Sequence, residues 1–418
     1  MRYFSFFYLY VAQGLPSGFA LTAFTNYLTA HRASPAVIGS FAAIVGLPWA
    51  FQFIWGPVID HYQSSAIGRR KPWVLAAQML ALLASTGLVL IHDPLHHMPA
   101  VSIAFLLHSV FASMQDASVD ALAISVTPEK ERGRMNAFMR TGYLLGIGVG
   151  AAVLSSLLKT KGFHAAALTQ STALLVCMLL TLFLREQADD ALLSVNDKSS
   201  RFSSDPPDLS YKKVFSELGK GLFTPKNIML FAAILSVYLG ISLFVRAYNY
   251  HLIRVLGWED TDVSFITGSY GMILAGIIAL SGGYIVDRFG AQRILMTAMA
   301  LIAVYLILFS SLSAYWAQTN VARSGLISLY FMDPTLSICA MPVLMSVCRK
   351  NVEGSQFTTY MALVNFADIA GSFTSGHLLR FISAPYIGLF SGMLCVGAVA
   401  LVFFVIRKRG VKTASVTG

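Results

Sequence analysis

Gly283-Tyr284-Ile285-Val286-Asp287-Arg288-Phe289-Gly290, with Arg293 three residues on, ends one long apolar run and opens the next. A counterpart begins 227 residues earlier: Gly56-Pro57-Val58-Ile59-Asp60, followed by Gly68-Arg69-Arg70-Lys71. The glycines allow helices to approach closely and the loop to turn sharply. Each aspartate can pair with the loop arginines and sit near a helix N-terminus, where an anion is favoured. Such a pairing would hold one side of the molecule closed and break when it opens. We therefore read Gly56, Asp60, Arg69, Arg70, Gly283, Asp287, Arg288 and Arg293 as a gating set. Gly133 and Gly354, 221 residues apart, repeat the relationship. The chain is built as two similar halves.

Outward from these motifs the sequence is overwhelmingly apolar. Only 12% of the 418 residues are charged and 56% are hydrophobic, too much apolar surface for one soluble core. Stretches of 18 or more apolar residues recur, each long enough to cross the roughly 30 Å hydrocarbon layer. At that depth only helices or closed barrels satisfy the backbone. The run lengths and the absence of short alternating strands select helices. The expected spans are 3–30, 35–59, 73–91, 99–127, 132–157, 164–184, 227–253, 262–286, 292–312, 323–348, 354–380 and 383–407. The first stretch is too long for a signal-peptide core and reads as a span. Cys177, Cys339, Cys348 and Cys395 lie in or beside apolar stretches without metal spacing, so neither a disulfide framework nor a metal site is expected. His92, His96 and His97 read as a solvated loop. No cofactor is expected.

With both termini inside, 23 of the 30 Lys and Arg residues fall on the cytoplasmic side. The other seven are Arg32, Lys159, Lys161, Arg246, Arg254, Arg323 and Arg380. The formal charge of +10 is thus a property of loops facing an anionic inner leaflet, not a nucleic-acid surface. The longest polar segment lies midway. Its first part is rich in Ser and Pro. Its second part carries Val214, Phe215, Leu218 and Leu222 at helical spacing and predicts a short amphipathic surface helix. The expected organisation is an all-α twelve-span membrane protein: a six-helix bundle over 1–184, a cytoplasmic linker over 185–226, and a second bundle over 227–418. An even number of spans per half makes the repeat parallel.

Charged groups inside spans are costly and point to function. Asp116 and Asp120 in span four are four residues apart and share one helix face. Arg140 enters span five at the depth Asp120 should reach. Asp120 is expected to pair with Arg140 or with Arg69 and Arg70, leaving Asp116 freer to titrate. These three residues form the expected proton-coupling set. Further intramembrane polar groups are Arg246 with Asn249 in span seven, Asp333 in span ten, and Asn365 and Asp368 in span eleven. Gln13, Asn26 and Gln52 either hydrogen-bond substrate or bridge helices. Gly142, Gly146 and Gly150, four apart in span five, predict a close-packing face.

Several stretches resemble the AmpG-type permeases of the major facilitator superfamily. They are Leu47-Pro48-Trp49 with Gln52-Phe53-Ile54-Trp55-Gly56-Pro57 and Asp60, then Gly68-Arg69-Arg70-Lys71-Pro72-Trp73. Ser113-Met114-Gln115-Asp116 with Asp120-Ala121, and Pro128-Glu129 with Glu131-Arg132-Gly133, are similar too. So are Gly14-Leu15-Pro16 with Gly18, and Ser355-Gln356-Phe357. The resemblance covers most of the first half and less of the second. It implies a transporter of peptidoglycan fragments, siderophores or acetyl-coenzyme A, with halves that rock about a site between them. It also implies a cavity lined by spans one, four, seven and ten. Gln13, Arg246, Asn249, Asp333, Asn365 and Asp368 then form the expected substrate-binding set. An arginine there suits a substrate carboxylate through its planar fork, although Arg246 and Asp333 could equally form a structural ion pair.

No phosphate-binding Gly-x4-Gly-Lys-Ser/Thr loop occurs, so a gradient must drive transport, most directly protons. No His-Glu-x2-His or Gly-x-Ser-x-Gly occurs, which argues against an enzyme. The expected protein is a monomeric multi-pass permease of the inner membrane that imports a muropeptide. A siderophore permease or a transporter-like receptor is the alternative.

Overall fold

The computed structural model describes residues 2–55, 58–59, 70–126, 132–184, 224–347 and 353–414. Among them there are helices and no strands, and the helices arrange as twelve spans. Span one is Arg2–Gly18, a π turn Phe19–Phe24, and Thr25–Ala30. Span two is Pro35–Ala50 followed by a 3-10 turn Gln52–Ile54. Spans three and four are Lys71–Val89 and Met98–Val126. Spans five and six share Arg132–Leu182, broken where Gly162 takes φ +83°, a conformation that suits only glycine. Span seven is Pro225–Arg254. Span eight is Asp260–Ile266, a π turn Thr267–Gly271, and Met272–Phe289. Spans nine to twelve are Ala291–Ser311, Thr319–Ser346, Glu353–Leu378 and Ala384–Ala414. The expected surface helix of the linker lies outside the described residues.

The boundaries agree with the sequence reading to within a few residues at most ends. The two π turns go beyond that reading; each follows or contains glycines that let a neighbour crowd the backbone. Among the described residues, eight helices are long and apolar enough to cross a membrane by length and composition, one of them the double-length stretch that holds spans five and six.

Contacts divide the chain into two compact units. The first holds Met1–Ala33, Phe41–Pro206 and Trp258–Gly276; the second holds Ser34–Ser40, Pro207–Gly257 and Ile277–Gly418. The division departs from a single cut at the linker by two short exchanges, and glycines explain both. In the first unit, a Cβ on Gly148 of span five would lie 2.6 Å from the Gly268 carbonyl oxygen, and one on Gly268 would lie 2.6 Å from that of Gly148. In the second, a Cβ on Gly39 would lie 3.0 Å from Cα of Gly376, and the reverse distance is 2.9 Å. Only glycine permits backbones so close. Gly268 follows Gly39 by 229 residues and Gly376 follows Gly148 by 228, so the duplication extends to these contacts.

The first unit is held mainly by span one against span five. Gly142, Gly146 and Gly150 meet the backbone oxygens of Phe7, Val11 and Leu15, while Gly14 and Gly18 meet those of Tyr143 and Ile147. A methyl group at any of these positions would collide with a carbonyl oxygen of the facing span. Phe19, Phe24, Phe41, Phe105 and Phe163 form an aromatic core, with Phe24 and Phe41 at 5.2 Å between ring centres. Such pairs add about 0.5–1.5 kcal/mol beyond burial. The second unit has its own aromatic core of Phe244, Tyr248, Phe309 and Trp316. The polar tips are satisfied there: Trp316 donates to the Phe309 carbonyl at 2.9 Å and Tyr248 to that of Ala322 at 3.1 Å.

Two charged features lie at the ends of spans. Lys71 is fully buried and its Nζ donates to the Leu182 carbonyl at 2.8 Å. A cation at the carboxyl end of span six complements that helix's dipole. In the loop after span three, the amide hydrogens of His96 and Leu95 bond Asp93 and hold its carboxyl below the usual range.

Candidate functional site

The site in the first unit begins with Pro48. Proline lacks the donor that the preceding turn of span two would use, and its ring crowds that turn. The α-helix stops at Ala50 and tightens into the turn Gln52–Ile54. The turn leaves Gln52 buried, and its Nε2 donates to Asp116 Oδ2 at 2.5 Å. One turn earlier on span four, Ser113 accepts from Trp55 Nε1 at 3.0 Å. One turn later, Asp120 accepts the phenolic hydrogen of Tyr10 from span one.

Asp116 and Asp120 therefore share a face of span four, and each is met by a donor from a different span. Their negative charges repel one another, and Arg140 of span five attracts Asp116. Arg140 also lies over the Tyr143 ring, 5.7 Å from its centre. Two carboxylates one turn apart in a low-dielectric interior are costly when both are charged, and a single proton removes half of that charge. Tyr10 is the member of this cluster that the sequence reading missed. Its spacing from Gln13, three residues on, was the available signal, since both fall on the inward face of span one.

The other expected groups fall in the second unit, except Gln13. Arg246 is half-buried and its Nε donates to Ser372 Oγ at 3.2 Å. Ser372 also meets Ser242, which donates to the Asp368 carbonyl at 2.7 Å. Asn249 is buried; its Nδ2 donates to Tyr330 at 3.0 Å, and its Oδ1 has no partner among the described residues. Tyr238 and Ser337 are joined at 2.8 Å. Asn365 is half-buried, whereas Asp333 and Asp368 are exposed. Spans seven, ten and eleven thus present arginine, amide, hydroxyl and carboxylate groups. Gln13, in span one, is buried within the first unit. Asn26 donates to Ser264 at 2.9 Å and so bridges helices.

Of the gating set, Gly56, Asp60 and Arg69 lie outside the described residues, as does the side chain of Asp287. Gly283 falls within Met272–Phe289. Arg70 occupies the N-cap position of span three. Arg288 and Arg293 are exposed, and Arg288 lies 5.7 Å over the Phe289 ring. Gly290 between them takes φ +89°, the conformation a sharp turn demands of glycine. Elsewhere in the first unit, Lys159 donates to Glu259 in an exposed ion pair, which holds the Glu259 carboxyl below its usual range.

The pattern of the Major Facilitator Superfamily matches residues 4–371. The Anhydromuropeptide permease of Escherichia coli strain K12 is 26% identical over 385 residues, covering 88% of this chain and 73% of that protein. An uncharacterized protein of Haemophilus influenzae is 24% identical, covering 68% of this chain and 64% of its own. Among solved structures, the nucleoside transporter NupG aligns with a TM-score of 0.68 at 15% identity, covering 97% of this chain and 98% of that one. A POT family transporter in complex with a thioalcohol-conjugated peptide aligns with a TM-score of 0.71 at 12% identity, covering 97% and 96%.

Proposed function

This chain belongs to the major facilitator superfamily and is a multi-pass membrane transporter rather than an enzyme, and on that premise we propose that it is a proton-coupled importer of a peptidoglycan-derived muropeptide. The observation that carries the coupling is the pair Asp116 and Asp120, half-buried on one face of a single helix and each bonded by a donor from another span. A proton taken up there turns a charge-assisted acceptor into a weaker neutral one and loosens the tie between spans. Charge and span packing are then linked, which is what coupling requires. Arg140 is the cation that balances the pair.

The substrate class is supported by the relationship to the Escherichia coli permease and by the chemistry of the second unit. Muropeptides carry carboxylates, amides and sugar hydroxyls. Arg246 supplies a fork for a carboxylate. Asn249, Asn365, Asp333 and Asp368 supply amide and carboxylate partners for the rest. The paired loop motifs act as cytoplasmic latches, with Asp60 and Asp287 held by Arg69, Arg70, Arg288 and Arg293. Both termini are cytoplasmic in this reading, and the protein works as a monomer in the inner membrane.

Proteoliposomes with an inwardly directed proton gradient test it. Labelled anhydro-muropeptide should accumulate only with the gradient imposed. Accumulation of a ferric siderophore in its place would move the protein to another substrate class. Gradient-independent equilibration would remove proton coupling.

A further inference from the structure

Three glutamines from different spans surround one internal cavity of the first unit: Gln13 of span one, Gln78 of span three and Gln115 of span four. Their exposures are 2%, 5% and 5%. Among the described residues, neither amide atom of Gln13 or Gln78 has a partner, nor has Nε2 of Gln115. Buried amides left in this state are strongly disfavoured, and a polar group at this depth is retained only where something satisfies it. His108 lines the same cavity. Its Nδ1 meets the Ala81 carbonyl at 3.1 Å and Ser85 Oγ at 2.8 Å. A carbonyl only accepts, so Nδ1 carries the hydrogen, and in the uncharged ring Nε2 is an acceptor.

The chemistry selects the ligand. Neutral amides offer both donors and acceptors, with no fixed charge to hold an anion or a metal ion. The space is that of about one water molecule, which needs two to four polar partners. We propose that this cavity is a binding site for a single ordered water that bridges Gln13, Gln78 and Gln115 and ties spans one, three and four together. Gln13 then belongs to the interior of the helix packing and not to the substrate site. The proposal is independent of which solute the protein carries.

Pulsed X-ray radiolysis of the wild-type protein in detergent, in H2(18)O, tests it without a mutation. Hydroxyl radicals formed from a trapped water should oxidise His108, although it is shielded from solvent, and the incorporated oxygen should lag bulk exchange. An unoxidised His108 overturns the site. Gln78→Leu gives a second reading whose sign differs between the two cases. If a water is bridged, the leucine strands the other two amides, and Tm falls by several degrees. If the cavity is dry, the leucine removes an orphaned amide and adds apolar contact, so an unchanged or higher Tm overturns the proposal.

Discussion

Tyr10 donates its phenolic hydrogen to the carboxylate of Asp120, 110 positions further along the chain. The bond joins span one to span four inside the first unit and makes the charge on Asp120 a matter of helix packing. Hydrogen bonds to charged groups contribute about 1.5–3 kcal/mol. Tyr10→Phe should therefore lower gradient-driven uptake by about tenfold or more, since 1.4 kcal/mol is one factor of ten. Substrate affinity, measured by calorimetry, should stay unchanged. A variant with wild-type uptake would leave Tyr10 a packing residue.

Asp116→Asn keeps the shape and can still hydrogen-bond Gln52, but it cannot take up a proton. Accumulation against a gradient should be lost while exchange of labelled for unlabelled substrate persists. Vesicle uptake with and without an imposed pH difference separates the two activities. Retained accumulation would take Asp116 out of the coupling role.

Arg246→Lys keeps the charge and loses the planar fork. Substrate binding should weaken by about tenfold, in line with the loss of one charge-assisted bond of about 1.5 kcal/mol or more. Tryptophan quenching or calorimetry reads this directly. Unchanged affinity would favour a structural ion pair in place of a substrate contact.

Gly148→Val and Gly376→Val insert side chains where backbones meet. Each should destabilise the protein by about 1–3 kcal/mol, as overpacking does, and lower its melting temperature. Gly87→Ala is the matched control. Nothing lies within 4 Å of a Cβ there, and Ala is favoured over Gly in a helix by about 0.5–1 kcal/mol. Equal effects at all three positions would mean the close approaches do not matter.

Glu259 is held below its usual range by its bond to Lys159. A carboxyl depressed on folding contributes stability above its unfolded value, near about 4.3. That contribution fades as pH falls through the lower folded value. Wild type should melt slightly above Glu259→Gln at about pH 7, and the two should converge in strong acid. A gap that persists there would mean the difference comes from something other than the ion pair.

Much of this was legible in the chain. The spans follow from run lengths, and the packing face of span five from glycines at intervals of four. The loop motifs announced the duplication, and the glycine contacts at offsets of 228 and 229 extend it. The pair Asp116 and Asp120 was recognisable because charge inside a membrane is rare. What sequence could not supply was helix rotation. Gln52 reaches Asp116 only through the tightened turn after Pro48, and Tyr10 reaches Asp120 only because span one packs at a particular angle. Gln13, expected beside a substrate, lies on an internal cavity for the same reason.

Lys71 illustrates a practical consequence. In the sequence it is one of the basic residues that mark a cytoplasmic edge, and its ammonium is sealed against the last carbonyl of span six. An impermeant amine-reactive reagent applied to inside-out vesicles would pass it by. A labelling map built from lysines would then score this edge as shielded, although the charge pattern of the sequence predicts that it faces inside. The same seal fastens the entrance of span three to the exit of span six.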